Sequence, residues 1–524
     1  MQNIKNTNLI LTAMLLYAVS LPIRWLLWFL EISPYLENIP ILFIFTLAFG
    51  TLLIVSPRAS WAPLVRLREL LGRHHWLAFA LFALLILAID SIYFVIVKCG
   101  SDERALFLAV QSLNKQGVAH FFANYAQMPW LGTQHPPLAA LGAGGAVHLF
   151  GGNVLITTRA VTGLLGLAIA GGTYLIARQL YDRQTALMAA FLLFALRNFY
   201  LFNIRAANDL YVTFFFTLTV LLLMYVNTTT RNLSSQSLWW AVAAGISLGL
   251  GLLSKYTMVL AYLLLPAMIW WPFAHQACPN SPPKACPDEG RERIDTTKSV
   301  PFGGKSFWFG IRQLTIVIAV SFLFLAGWLW HLNELGLFQQ QVATILYYIG
   351  FEVESSSEGI KVIEYKGFNA LRIRFLIRAL TYKIPSYIGL YNLPLIALGL
   401  WVYFIQRRLV LTQEGKANVM WSNRFVLLWL AVIFIPVLLT LPVARYLFPA
   451  YPALAIMMAH GLRTMCKEPT RVVIFVVVLS LSSLVFYVEP IPEHRCIAEL
   501  SIYNTGVTHL REFQENNYPK PIRS

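Results

Sequence analysis

The chain has 524 residues, of which 58% are hydrophobic and 12% charged, with a formal net charge of +16. This is more apolar surface than a soluble core can bury, which excludes a soluble protein and predicts an all-α polytopic membrane protein covered by lipid. The basic residues are dispersed between apolar runs rather than gathered in one stripe, which excludes nucleic acid as a partner.

A spanning helix needs roughly 20 mostly apolar residues, and on that criterion about 13 spans are predicted. They fall at 8–30, 39–57, 75–98, 155–180, 185–202, 209–227, 238–254, 256–273, 314–332, 386–405, 425–441, 446–464 and 471–488. No small-residue cleavage site follows the first run, so it reads as a retained span. Short loops take their side from lysine and arginine. Arg58, Arg66, Arg68 and Arg73, then Arg178 and Arg183, then Arg407, Arg408, Lys416 and Arg424, then Arg463, Lys467 and Arg471 all fall on one side when the spans alternate. The polar stretch 274–313 joins them. The amino terminus is therefore expected in the cytoplasm and the carboxyl terminus outside it, and the sequons at Asn227 and Asn232 fall on the cytoplasmic side, where they stay unmodified.

The chain divides accordingly. Residues 1–74 hold two N-terminal spans and a cytoplasmic loop, and 75–275 form a transmembrane module with the outer loop 99–154. Residues 276–313 are a Pro-rich cytoplasmic linker, 314–488 hold the C-terminal spans with the outer loop 333–385, and 489–524 are an extracytoplasmic tail. Five cysteines define neither a disulfide scaffold nor a zinc site, since Cys278 and Cys286 lack a paired CxxC and flanking histidines.

The chemistry-bearing residues cluster on the outer side. Ser101-Asp102-Glu103-Arg104 opens a segment in which Leu106, Ala109, Val110 and Leu113 recur at helical spacing, an amphipathic helix at the membrane surface. Asp102 and Glu103 either complement the dipole of that helix or supply a general base. Gln134-His135-Pro136-Pro137-Leu138 follows, and its two prolines hold His135 in non-helical backbone, as an interface residue or a catalytic one. Arg205 and Asp209, Lys255 beside Tyr256, and Arg445 beside Tyr446 fall at the outer ends of tightly connected spans. Singly, each is either a snorkelling anchor or a functional group; together they can converge on one anionic ligand. The basic set Arg372, Arg374, Arg378 and Lys383 reads as an interfacial helix meeting lipid headgroups.

In order and spacing these motifs resemble the polyprenyl-phosphate-sugar-dependent glycosyltransferases of GT-C fold, in the branch of protein O-mannosyltransferases and lipid A aminoarabinose transferases (family 39-like). The resemblance runs from Asp102 to Trp271, with an echo at Arg445-Tyr446-Leu447-Phe448-Pro449. It rests on five features: the Asp-Glu pair opening an Ala-rich helix that ends at Gly117; His135-Pro136-Pro137-Leu138; Tyr181-Asp182-Arg183; Asp209 heading a helix; and Leu252-Leu253-Ser254-Lys255-Tyr256. It departs from the family at His135, where relatives often carry lysine, and at Ala105 and Leu106, where an aromatic residue or arginine is usual.

The resemblance implies a GT-C fold, Asp102 as the base activating an acceptor hydroxyl, with Glu103 beside it, and Lys255, Arg445, Tyr446, His135 and Arg205 on the lipid phosphate. Arg104, Gln134, Asp209 and Tyr256 are further substrate-site candidates. It also implies a prokaryotic enzyme of the inner membrane, since 333–385 is too short for the extra domain of eukaryotic mannosyltransferases. The implied partners are membrane lipid, a polyprenyl-phosphate sugar as donor, and an acceptor protein, lipid or glycan.

Chemistry leads to a similar place independently. The largest cytoplasmic loop has no room for a nucleotide-binding domain, so an outer-face transfer needs a donor already carried across on an isoprenoid. Lys255 and Arg445 would stabilise the departing phosphate electrostatically, so no catalytic metal is required. The competing readings are a transporter or flippase, for which the only clear mid-span acid is Asp90, and a non-catalytic lipid-binding scaffold.

Overall fold

A computed structural model describes residues 74–96, 101–128, 135–229, 235–270, 304–349, 351–356, 359–365, 376–389, 392–409, 415–439, 444–465, 472–473, 475–477 and 479–481. The expected spans 8–30 and 39–57, the proline-rich part of the linker, the tail, Gln134, Asn232, Arg372, Arg374 and the side chain of Asp102 lie outside them.

The architecture is helical, as expected, with one addition. The helices are α1 (His75–Ile96), α2 (Ser101–Ala123), α3 (Leu138–Phe150), α4 (Val154–Leu180), α5 (Arg183–Ala195), α6 (Arg197–Asn203), α7 (Asn208–Thr229) and α8 (Ser235–Leu252). They continue with α9 (Leu265–Trp270), α10 (Gly304–Glu334), α11 (Phe338–Ile349), α12 (Ile384–Ile388), α13 (Leu393–Leu409), α14 (Gly415–Leu439) and α15 (Tyr451–Met465). The addition is an antiparallel hairpin of β1 (Phe351–Ser356) and β2 (Gly359–Tyr365), in which Phe351 pairs with Tyr365 and Val353 with Val362. It lies inside the predicted outer loop 333–385.

Among the described residues, five helices are long and apolar enough to cross a membrane: His75–Val95, Val154–Leu180, Asn208–Asn227, Phe307–Glu334 and Val419–Leu438. Several other predicted spans are broken. The run 185–202 is α5 and α6, bent by 74° at Leu196, whose extended backbone ends one helix and starts the next. No glycine or proline marks that break in the sequence. The run 256–273 opens as a 3₁₀ segment, Tyr256–Leu263, and becomes α-helical only at α9, where Pro266 sits in the first turn, the one place a helix accepts it. The run 446–464 likewise opens on a 3₁₀ segment, Ala444–Ala450, containing Pro449.

Lipid gives helices no hydrophobic reason to associate, so small residues and polar side chains carry the packing. A Cβ on Gly461 of α15 would come within 2.7 Å of the Gly399 Cα of α13, so only glycine allows that approach. Asn392 Nδ2 donates to Ala195 O at 2.9 Å, and Ser480 Oγ to Phe191 O at 2.8 Å. At the α4 C-terminal end of the bundle, Tyr181 Oη bonds Tyr403 Oη and donates to Asn423 Oδ1, both at 2.8 Å, and stacks on His460. Asn227 is buried and donates to Met268 O and Ile269 O, which closes that sequon to modification whatever side it faces.

Candidate functional site

The amphipathic helix reads correctly from its spacing: Leu106, Ala109, Val110 and Leu113 of α2 are all buried. They share one apolar cluster with Ala139, Ala140 and Ala143 of α3, with Ala206 and Tyr211, and with the partly buried Leu253 and Tyr256. That cluster brings the predicted base helix, the His-Pro-Pro segment, the turn before α7 and the turn after α8 to one end of the bundle. Gly117 interrupts α2 at φ 84°, ψ 170°, a region open to glycine alone, so the chain turns where the sequence places the end of the Ala-rich helix.

Asp102 stands in the first turn of α2, next to Glu103. The Glu103 carboxylate is buried and grips Arg159 of α4 bidentately, Arg159 Nε to Oε1 at 2.6 Å and Nη2 to Oε2 at 3.0 Å. The N–H of Ala206 donates to the same Oε1 at 3.0 Å, and Arg159 Nη1 donates to Phe94 O at 2.6 Å. The Glu103–Arg159 pair therefore ties α1, α2, α4 and the turn before α7 together. Both Glu103 carboxylate oxygens are thus engaged in holding these elements together. Arg104 beside it is half-buried.

On the other flank, Lys255 occupies extended backbone between α8 and the 3₁₀ segment. Its Nζ donates to Asp209 Oδ1 of α7 at 2.5 Å, with both side chains about 5% exposed. The same Nζ lies 4.8 Å from the centre of the Tyr446 ring, and the Arg445 guanidinium lies 5.7 Å from it. Two cations thus meet over one aromatic ring, an arrangement that favours positive charge.

His135 completes the group. Tyr125 Oη donates to its carbonyl at 2.5 Å, Tyr125 packs edge-on against Trp328, and Leu138 N donates to Leu253 O at 2.9 Å, which clips the His-Pro-Pro segment to the Lys255 turn. Burial, then the cationic Lys255 and Arg445, hold the His135 pKa well below the ordinary histidine value. The imidazole is therefore neutral near pH 7 and offers a hydrogen bond rather than a charge. Tyr256 Oη accepts from Trp328 Nε1 at 3.1 Å, and Arg205 lies on the turn between α6 and α7, four residues before Asp209.

The structure thus brings His135, Lys255, Asp209, Arg445, Tyr446 and Tyr256 into one neighbourhood. Sequence reasoning missed Arg159, although an arginine inside an otherwise apolar span is itself a signal, because it must find a partner. Among the described residues no group of three His, Cys, Asp or Glu side chains is placed to hold a metal ion.

Residues 134–282 match the family model for dolichyl-phosphate-mannose-protein mannosyltransferases. The match covers the His-Pro-Pro segment, the turn before α7 and the Lys255 turn, so the resemblance read from motif order is found independently there. No curated protein matches the chain by sequence. Among solved structures, the chain is similar to ArnT from Cupriavidus metallidurans bound to undecaprenyl phosphate, at 14% identity and a TM-score of 0.47, over 74% of this chain and 60% of that one. It is also similar to the oligosaccharyltransferase AglB from Archaeoglobus fulgidus, in complex with an inhibitory peptide and a dolichol-phosphate, at 12% identity and a TM-score of 0.42, over 84% and 60%. The chain spans 60% of the length of each of these relatives.

Proposed function

We propose that the protein is a membrane glycosyltransferase that moves a sugar from a polyprenyl-phosphate donor to an acceptor hydroxyl at the extracytoplasmic face of a bacterial inner membrane. The observation that carries this reading is the meeting of Lys255, Arg445 and neutral His135 near Tyr446, at the bundle end where α2 carries Asp102 in its first turn. We read that meeting as the seat of a phosphate headgroup whose tail lies in lipid, and Asp102, in the first turn of α2, as the residue that would take the proton.

In the proposed step, the acceptor oxygen forms a bond to the anomeric carbon as the bond from that carbon to the phosphate oxygen breaks. The electron pair leaves with the phosphate, whose growing negative charge Lys255 and Arg445 stabilise more in the transition state than in the bound donor. The acceptor proton passes to Asp102, a role worth about 10²–10⁴-fold in rate. Attack opposite the phosphate inverts the anomeric configuration. Residues 75–275 would form the catalytic module.

The intramembrane acid that a transporter would use is sealed here. Asp90 is fully buried in the bundle and accepts from Asn203 Nδ2 at 2.7 Å. Incubating the purified protein with undecaprenyl-phosphate sugars and candidate acceptors, with Asp102→Asn alongside, tests the reading. Transfer by the wild type and its loss in Asp102→Asn is the expected result; equal turnover removes Asp102 from the base role, and a product with the donor configuration retained overturns the single inverting displacement.

A further inference from the structure

The turn that leads into α7 is anchored at both ends. Ala206 donates its N–H to Glu103, beside Asp102, and Asp209 holds Lys255. Asn208 lies between those anchors. It is buried, and among the described residues neither its Oδ1 nor its Nδ2 has a hydrogen-bond partner. One turn further along α7, Tyr211 is equally buried, and its hydroxyl is likewise without a partner among the described residues. The Tyr211 ring packs against Gly142 of α3, where a Cβ would lie 3.2 Å from it.

Residues three apart share a helix face, so these two side chains stand side by side. Buried amides and hydroxyls are nearly always hydrogen-bonded, because burial removes their water and something must replace it. The two stand at the start of α7, which Glu103 and Lys255 hold through Ala206 and Asp209 and which a sugar joined to that phosphate would approach. An amide supplies donors and an acceptor and a phenol supplies one of each, the complement of adjacent ring hydroxyls. The two acids beside them, Glu103 and Asp209, are engaged by Arg159 and Lys255, so neither is offered to the ammonium of an amino sugar.

We infer that Asn208 and Tyr211 read the hydroxyls of a neutral sugar on the donor lipid. This rests on the transferase reading above and deepens it. The test measures binding to the full-length protein in lipid nanodiscs of undecaprenyl phosphate alone and of undecaprenyl phosphates carrying mannose, glucose or galactose.

The expected result is that the wild type binds at least one glycosylated lipid about tenfold more tightly than the sugar-free one, the value of one or two hydrogen bonds. Asn208→Leu and Tyr211→Phe remove that increment and leave the sugar-free affinity unchanged. Should Asn208→Leu fail to fold, Tyr211→Phe decides, since it deletes a single oxygen. Retention of the increment in the variants, an equal loss of affinity for both lipids, or no increment with any neutral hexose in the wild type overturns the inference. A wild type that binds neither lipid overturns the transferase reading, and this inference with it.

Discussion

Arg159 and Glu103, 56 residues apart, form a buried bidentate ion pair that joins α4 to the first turn of α2. Removing one partner of such a pair leaves the other charged and out of water, which costs about 3–5 kcal/mol, whereas replacing both by apolar residues is far milder. Arg159→Leu is therefore expected to unfold markedly earlier than wild type in a detergent denaturation series. The double variant Glu103→Leu, Arg159→Leu should recover much of the stability. A double variant no more stable than the single would refute the uncompensated-charge account.

Lys255 and Asp209 allow stability and binding to be separated. Lys255→Ala is expected to weaken undecaprenyl phosphate binding by roughly 10- to 100-fold, the value of a charge-assisted hydrogen bond, and to destabilise the fold by exposing Asp209 to burial without its cation. Adding Asp209→Asn removes the stranded charge, so melting temperature should return while affinity does not. If affinity returned with stability, Lys255 would be a structural residue only.

The depressed pKa of His135 carries a pH signature. The folded protein resists protonating this imidazole and the unfolded chain does not, so below the unfolded value of about 6.5 the unfolded state binds more protons. The stabilisation is complete above that pH and is lost progressively as pH falls from there toward the folded value. Melting curves from pH 7.5 to 5 should show a decline in wild type that is smaller in His135→Gln; parallel curves would mean that His135 does not titrate this way.

Gly117 provides a test of backbone strain without crowding. A Cβ there meets nothing within 4 Å, yet its φ of 84° is one that L side chains avoid. Gly117→Ala should cost about 1–3 kcal/mol by unfolding. Gly145, inside α3 and also facing open space, should tolerate alanine with a gain of about 0.4–1 kcal/mol. Equal effects at the two positions would show that α2 does not depend on the Gly117 turn.

Much of the site was legible because polar residues at the ends of apolar runs are costly, and so stand out against their surroundings. Asp102, His135, Lys255 and Arg445 were all singled out in this way, and the structure brings the last three near one another; the buried stripe of α2 was legible too. Arg159 and Asn208 were not singled out. Arg159 stands out as a charge within an apolar span, but the carboxylate it grips lies 56 residues away and is not legible locally, and Asn208 looks like an ordinary residue at a helix start.

Residence in a membrane, the rough course of the apolar segments and the set of residues able to carry chemistry are all readable from the order of amino acids. These follow from composition and from periods of a few residues, which depend on local sterics and on the thickness of a bilayer. The bend of 185–202 at Leu196, the 3₁₀ start of the segment after Lys255, the pairing of Glu103 with Arg159 and the neutral state of His135, held by burial and then by Lys255 and Arg445, are set by the folded arrangement. Those outcomes depend on partners brought together by packing, and the energy of a charge or a hydrogen bond is set by what surrounds it rather than by its neighbours along the chain.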